Sequence, residues 1–269
     1  MVGIEGLDEV IQTVIFSAYL EDERPLSALL AAKVESGKST LLSRYHGIPG
    51  LQFFSDVTAW GITHRFLRQL INGEIRHLVI PDLVVPLARN RDTVGVLVAF
   101  LNALIEEGAI SLHTYATKVD LKDPIRCGLI AALAKEELDS SRRTWMRIGF
   151  MSRLLPVSYS YTPKTVTAIR QSIASQSYQN DNPIELVVPK ERVRVKLPKP
   201  IADRIMVLTP SVAVAAIRAE RIYGFRLQRQ LQTFCMAHAL RRGADIATDE
   251  DYEATAEFTS LLNLQYVPI

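Results

Sequence analysis

The residues best suited to binding or catalysis form one short segment that follows an apolar run, Leu26 to Ala32. Its spacing matches the phosphate-loop pattern, except that Ala32 stands where a first glycine is usual. In such a loop, backbone N–H groups and the positive end of a helix beginning at Lys38 bind phosphate oxygens. Lys38 adds a cation, and the Ser39 hydroxyl is suited to Mg²⁺. The predicted nucleoside triphosphate site comprises Lys33, Val34, Glu35, Ser36, Gly37, Lys38, Ser39 and Thr40. The alternative is an ordinary strand–turn–helix with a chance Gly-Lys-Ser-Thr.

Asp82 is the candidate for the carboxylate that should lie beside the metal ion. It follows Pro81 and the apolar run His77 to Ile80, which predicts a strand. Because ligands bind at the carboxyl ends of parallel strands, Asp82 is expected to hold Mg²⁺ through water, together with Ser39. Otherwise it is a surface aspartate after a buried strand. Leu83 comes next, where hydrolytic enzymes of this type often carry a glutamate that polarises water.

Helical and strand patterns alternate along the first half of the chain. Helices are predicted over residues 5–20, Ser39 to Arg44, Ile62 to Asn72 and Thr93 to Glu107. Strands are predicted over Pro25 to Lys33, Gln52 to Val57, His77 to Ile80, Ala109 to Tyr115 and Arg126 to Leu133. This alternation favours an α/β fold in which helices cover both faces of a parallel sheet.

The composition of the sequence changes after Pro156: polar segments follow, and they contain several prolines. Helical patterns return from Thr209 onward, over Ser211 to Arg221, Arg226 to Arg241 and Thr248 to Leu262. Thr248 and Asp251 have the spacing of a reciprocal helix cap. We therefore predict a phosphate-loop core over residues 1–156, a linker or insertion over 157–204 and a helical region over 205–269.

One segment of the linker, Glu191 to Leu197, alternates apolar and charged residues as an exposed strand does. Arg192, Arg194 and Lys196 then share one face, and they are candidate contacts for the phosphate backbone of DNA. The alternative is a charged edge strand that is protected from aggregation.

Together, the phosphate loop, the strand before Asp82 and the C-terminal helices resemble the AAA+ ATPases, and residues 101–135 resemble the MoxR and minichromosome-maintenance (MCM) branch. There a helix ends in an acidic pair, as in Leu101 to Glu107, and a strand follows, as in Ile110 to Leu112. A second strand, here Gly128 to Leu133, leads to the sensor 1 position. Asn or Thr is usual at that position, but this chain has Ala134 and then Lys135. The resemblance covers residues 4–155 and 205–269, and it implies an AAA+ core followed by a small α-helical lid.

The same resemblance suggests two functional arginines. Met151 to Leu154 resembles the family element whose arginine reaches across a subunit interface to the γ-phosphate, which makes Arg153 the candidate finger in trans. Its rivals are Arg142, Arg143 and Arg147, and the alternative for the whole cluster is a solvated basic helix face. Gly224 to Leu231 resembles the sensor 2 helix, from which Arg226 would lean onto the nucleotide; otherwise Arg226 is a helix-surface arginine.

The resemblance implies a Mg-ATP-dependent homo-oligomer, a ring or open spiral, that acts on DNA or on a protein complex. Lys38 would bind the β- and γ-phosphates, and an accessory partner protein would help to grip the substrate. The departures at Ala32, Leu83 and Ala134 leave open a nucleotide-dependent assembly or scaffold protein with little turnover. A third hypothesis is a DNA-binding regulator that uses residues 185–200.

Composition restricts the remaining function classes. Lysine plus arginine is 31 and aspartate plus glutamate is 29, so the net charge of +2 does not itself argue for a nucleic-acid partner. No signal-peptide pattern and no apolar run of about 18 residues is present, so we expect no membrane partner. Cys127 and Cys235 form no CxxC pair, and we expect reduced thiols in a cytoplasmic protein.

Overall fold

The computed structural model describes residues 5–113, 118–176, 183–220 and 223–264. Its strands are β1 (Ala28–Ala32), β2 (Leu51–Phe53), β3 (His77–Ile80), β4 (Ala109–His113), β5 (Lys118–Ile125), β6 (Gly128–Ala134) and β7 (Leu155–Ser158). Five of them form one parallel sheet in the order β2-β3-β6-β1-β7. The predicted α/β class with a parallel sheet is confirmed.

Helices occupy most of the remaining described residues. They are α1 (Glu5–Ser17), α2 (Lys38–Ser43), α3 (Ala59–Ile71), α4 (Val84–Leu87), α5 (Arg91–Asn102), α6 (Lys135–Arg147), α7 (Pro163–Ala174), α8 (Lys199–Glu220), α9 (Phe225–Arg241) and α10 (Asp249–Thr259). A π-helical turn, Ala103–Glu107, continues α5, and a 3₁₀ turn, Met151–Arg153, precedes β7. None of the helices in the described ranges is long and apolar enough to cross a membrane.

The sheet is covered on both faces, because its central strands are buried along their whole length. On β1, Ala28 and Leu30 join one hydrophobic core with α1, α2 and α8 to α10. Leu29 and Ala31 point to the opposite face and join a second core with α3, α5 and α6. The C-terminal helices therefore share a core with the sheet, and α9 packs directly on α1. The division at residues 156 and 204 stays a prediction.

Several local predictions need correction. The strand predicted over Ala109 to Tyr115 is not part of the parallel sheet: β4 pairs with β5 as a separate antiparallel hairpin, and Tyr115 lies outside the described residues. The helix predicted from Ser211 begins at Lys199 and passes through Pro210. Proline removes one helical hydrogen bond, but Ile201, Ile205 and Ala213 still bury one face of this helix.

The basic strand predicted over Glu191 to Leu197 is also wrong. Val193 forms an isolated bridge with Leu20, and Lys196 forms one with Ile246. The two bridges bind this segment to two different connecting loops. The bridges provide hydrogen-bond partners for part of the backbone of this segment, which therefore adds no strand to the parallel sheet.

His77 gives the fold a defined pH dependence. It is fully buried, its Nε2 lies 3.1 Å from the Leu26 carbonyl, and its Nδ1 has no partner among the described residues. Burial lowers the pKa of His77 to about 4, although the hydrogen bond to Leu26 opposes this shift. The unfolded chain therefore binds this proton below about pH 6.5, whereas the folded chain does not until about pH 4.

We expect the free energy of unfolding to fall by about 3 kcal/mol from this group as the pH drops from 6.5 to 4, and to be unaffected by it above pH 6.5. Urea titrations at pH 7.5 and pH 5.0 measure the difference. His77→Gln should make the two values more similar, because glutamine does not titrate. An unchanged difference in this variant would assign the pH dependence to other groups.

Candidate phosphate-binding site

The predicted phosphate loop lies at the carboxyl end of β1 and leads directly into α2. Gly37 caps α2 with φ 78° and ψ 13°, a left-handed conformation that glycine adopts without steric cost. Glu35 also has positive φ, at 63°. Ala32 does not, so its Cβ is tolerated at the position where a first glycine was expected.

Lys38 folds back over the loop that precedes it. Its ammonium donates to the carbonyls of Ala32 and Lys33, at 2.9 and 2.7 Å, and to Ser36 Oγ at 3.2 Å. Burial lowers the pKa of Lys38, and the negative charges of Glu136 and Asp82 act in the opposite direction. The ammonium is thus held at the loop with two carboxylates near enough to influence it.

Ser39 connects the loop to the second predicted motif. Its Oγ donates to the carbonyl of Pro81 at 3.2 Å, across 42 positions in the sequence. Asp82, the next residue, is exposed, and its Oδ1 accepts a hydrogen bond from the Val84 amide at 3.1 Å. Ser39 and Asp82, which were predicted to share a metal ion, therefore lie at the same end of the sheet and are linked through the carbonyl of Pro81.

The sheet topology explains why these groups meet. The chain leaves β1 through α2 on one face of the sheet, whereas it leaves β6 through α6 on the other face. Adjacent strands whose connections diverge in this way leave a crevice beyond their carboxyl ends, which is where open α/β sheets bind ligands. β1 and β6 are adjacent, with Ala32 opposite Ala134. The predicted phosphate loop follows Ala32 directly, so it begins at the end of the sheet where such a crevice forms.

Two tyrosines that the sequence reasoning missed support the loop from β7. The hydroxyls of Tyr159 and Tyr161 both donate to the Ser36 carbonyl, at 2.9 and 2.6 Å. Burial raises the pKa of Tyr159 to about 12, so it remains a donor at neutral pH. The available signal was their position directly after an apolar run. Because Ser158 lies opposite Ala31 in the parallel register, residues after it lie beside the loop.

We expect the double change Tyr159→Phe and Tyr161→Phe to weaken the predicted nucleotide binding about 5–30-fold, the equivalent of one to two hydrogen bonds of about 1 kcal/mol. The rings and their packing remain, so the loop loses only its hydroxyl anchors. Titration with an ATP analogue measures the effect. Tyr223→Phe, at a tyrosine that is 81% exposed, is the matched control. Equal affinities for both variants would show that the loop holds its shape without the tyrosines.

The position predicted for sensor 1 carries no group for positioning water. Ala134 precedes α6 as its N-cap residue, and Lys135 is exposed in the first turn of that helix. Leu83 is only 1% exposed and packs in the core, although its amide anchors the segment by donating to the Ala132 carbonyl at 2.8 Å. Glu136, which the sequence reasoning did not single out, is an exposed carboxylate beside this position.

Arg153 and Arg226 lie at the amino end of the parallel strands, whereas the phosphate loop lies at their carboxyl end. Arg226 donates to Ser152 Oγ at 2.6 Å and lies 3.3 Å from Glu106, and Ser152 belongs to the 3₁₀ turn that precedes β7. The length of β1 separates these two ends of the sheet by about 13 Å, at 3.3 Å per residue. The structure therefore does not bring Arg226 to the loop of its own chain, as the sensor 2 prediction required.

Arg153 is largely occupied within its own chain. Its side chain is 13% exposed, donates to the Gly149 carbonyl at 2.6 Å and pairs with Glu107 at 2.5 Å. Among the rival arginines, Arg142 is buried and contacts Asn263, while Arg143 and Arg147 are exposed on α6. The predicted role of Arg153 in trans stays a prediction.

The three candidate DNA-contacting cations do not form one free face. Arg194 pairs with Glu21 and Asp22, both at 3.0 Å. Arg192 lines a polar cavity that also contains the acidic residues Glu21 to Glu23, and Lys196 is exposed. Carboxylates therefore neutralise part of the predicted basic patch, and its contact with DNA stays a prediction.

The oxygen atoms of Ser39 and Asp82 fit a hard divalent cation such as Mg²⁺, which commonly takes one or two carboxylates together with substrate phosphates and water. Across the described residues, no group of three or more His, Cys, Asp or Glu side chains is arranged to hold a metal ion. Comparison of the chain with models of known protein families and with curated protein sequences gives no match.

Proposed function

We propose that this chain binds a magnesium nucleoside triphosphate, ATP by its resemblance to the AAA+ proteins, at the phosphate loop. The observation that carries the proposal is the Ser39–Pro81 hydrogen bond, which joins the loop to Asp82. If the Gly-Lys-Ser-Thr sequence followed a strand by chance, no carboxylate would be needed at the same end of the sheet. The loop, the lysine, the hydroxyl and the carboxylate are together the groups that a metal–triphosphate requires.

Each group has a distinct role in this proposal. Loop amides and the N-terminus of α2 bind phosphate oxygens, and Lys38 exchanges its carbonyl partners for the β- and γ-phosphates. Ser39 and Asp82 hold Mg²⁺, which neutralises charge on the phosphates when it is bound. Tyr159 and Tyr161 keep the Ser36 carbonyl in place, so the loop is ordered before the nucleotide arrives.

The resemblance to the AAA+ family extends the proposal to a homo-oligomeric ATPase that acts on DNA or on a protein complex. In such an assembly, Arg153 of one subunit would serve the nucleotide of its neighbour. Its pairing with Glu107, which is 58% exposed, is a contact that a neighbouring triphosphate can replace. The nucleotide and the assembly are separate parts of the proposal and are tested separately.

Phosphate release measured across a series of protein concentrations tests both parts. We expect a rate per subunit that rises with protein concentration in the presence of Mg-ATP and is lost in Lys38→Ala. Lys164→Ala, which changes an exposed lysine outside the predicted site, is the control and should retain the rate. A rate per subunit that is independent of concentration would contradict the assembly, and equal rates in both lysine variants would contradict the site.

Leu83 and Ala134 favour a second candidate, a nucleotide-dependent assembly or scaffold protein with little turnover. Neither residue offers a polar group to the attacking water, and Leu83 is buried. Loss of a general base typically costs about 10²–10⁴-fold in rate, whereas phosphate binding through Lys38 is unaffected. Tight ATP binding without phosphate release above the Lys38→Ala background would support this candidate.

A further inference from the structure

Hydrolysis at the proposed site requires a base that the region around Asp82 does not supply. The residue after Asp82 is Leu83, whose side chain packs in the core formed by α3, α5 and α6. Its amide is fixed by the Ala132 carbonyl, so the segment is not free to present another group. A carboxylate for the attacking water must therefore come from a different element at the same strand edge.

The helix that follows the neighbouring strand β6 provides one. Ala134, its last residue, lies opposite Ala32, the residue immediately before the phosphate loop. α6 begins at the next residue, Lys135, and packs on both β1 and β6. The first turn of α6 thus stands at the mouth of the crevice between the two strands, on the opposite face of the sheet from α2. Glu136 belongs to this turn.

Glu136 is available for chemistry. It is exposed, and no hydrogen bond or ion pair engages its carboxylate within the described part of the chain. Its charge acts on the Lys38 ammonium together with that of Asp82, so both carboxylates lie near the group that binds the phosphates. The Ser39 hydroxyl donates to the carbonyl of Pro81, the residue before Asp82, so Asp82 is the carboxylate assigned to the metal ion and Glu136 remains for the attacking water.

We propose that Glu136 is the general base for nucleotide hydrolysis, in place of the glutamate that is missing after Asp82. This inference rests on the proposed ATPase function. The Glu136 carboxylate accepts a proton from water as the water oxygen forms a bond to the γ-phosphorus. The bond between that phosphorus and the bridging oxygen breaks, and ADP leaves with the electron pair. The products are ADP and inorganic phosphate, and the proton passes from Glu136 to solvent.

A purely structural role for Glu136 makes a different prediction. An acidic residue in the first turn of a helix stabilises the helix by about 0.3–1 kcal/mol through its dipole. Glu137 is also exposed in the same turn and has the same effect on the helix. Glu137→Gln is therefore a matched control, because it removes the same charge from the same turn one position further along α6.

The test compares phosphate release by the full chain carrying Glu136→Gln, Glu137→Gln or Glu136→Asp, with ATP binding measured for each variant. We expect Glu136→Gln to lower kcat about 10²–10⁴-fold, while it binds ATP as tightly as the wild type or slightly tighter. Glu137→Gln should stay within about threefold of wild type, and Glu136→Asp should retain part of the activity.

The outcomes separate this inference from the proposed function. If the wild type releases phosphate and Glu136→Gln is no slower than Glu137→Gln, the assignment of Glu136 is wrong although the ATPase stands. If Glu136→Gln loses ATP binding and turnover together, its role is structural and the assignment is also wrong. If the wild type releases no phosphate above Lys38→Ala, the ATPase proposal fails and this inference fails with it.

Discussion

Asp82→Asn is expected to raise the Mg²⁺ concentration needed for half-maximal ATP binding about 10–100-fold, the usual cost of losing a carboxylate that orients a metal ion's coordination shell. The amide keeps the size of the side chain and can still accept from the Val84 amide, so the strand end should remain intact. The substitution removes only the negative charge that is proposed to lie beside the Ser39 hydroxyl. Binding of an ATP analogue, titrated at several Mg²⁺ concentrations, measures the shift.

Asp92→Asn is the matched control for this experiment, because Asp92 is exposed at the start of α5 and belongs to no predicted site. Its Mg²⁺ dependence should equal that of the wild type. If Asp82→Asn also binds with unchanged Mg²⁺ dependence, Asp82 is the surface aspartate of the alternative interpretation. The hydrogen bond between Ser39 and Pro81 would then be structural.

Asp251→Ala is expected to destabilise the folded chain by about 3–5 kcal/mol, the usual cost of removing one partner from a buried ionic cluster. Asp251 is fully buried and accepts hydrogen bonds from His238 at 2.6 Å, from Arg242 at 2.8 Å and from the Thr248 amide at 2.7 Å. His238 also contacts Glu9, so the cluster ties α9 and α10 to α1. Alanine leaves all three donors without this acceptor.

The same carboxylate predicts acid sensitivity. Burial would raise the pKa of Asp251, but hydrogen bonds from His238, Arg242 and Thr248 outweigh it and hold the pKa well below its usual value of 3.8. Its stabilising contribution is therefore complete above about pH 4 and is lost as the pH falls further.

Urea unfolding at pH 7 measures the change in the free energy of unfolding for Asp251→Ala. Asp249→Ala, at the exposed start of α10, should cost no more than about 1 kcal/mol, because its pair with Arg204 is on the surface. A similar small cost for Asp251→Ala would mean that water or other groups replace the buried carboxylate.

The sequence predicted best those features that short-range patterns determine. The buried runs that became β1, β3 and β6 and the helix from Phe225 to Arg241 occur close to their predicted positions, because continuous apolar runs and helical periodicity encode them directly. The reciprocal cap of Thr248 and Asp251 is confirmed for the same reason, since both partners lie within one helical turn.

Features that depend on how distant elements pack were missed or wrong. Tyr159 and Tyr161 reach the loop only because β7 pairs with β1, a contact across more than 120 positions. Arg226 lies at the amino end of the parallel strands, away from the phosphate loop, because α9 packs on α1. Glu136 gains its position from the register between β1 and β6, which no local pattern specifies.

Calorimetric titration with a non-hydrolysable ATP analogue is the sharpest test of the proposal that the phosphate loop binds a magnesium nucleoside triphosphate. We expect saturable binding that requires Mg²⁺ and is about 10–100-fold weaker in Lys38→Ala, because hydrogen bonds to charged groups are worth about 1.5–3 kcal/mol. Lys164→Ala should bind as the wild type does. No binding by the wild type, or equal binding by the two lysine variants, would contradict the claim.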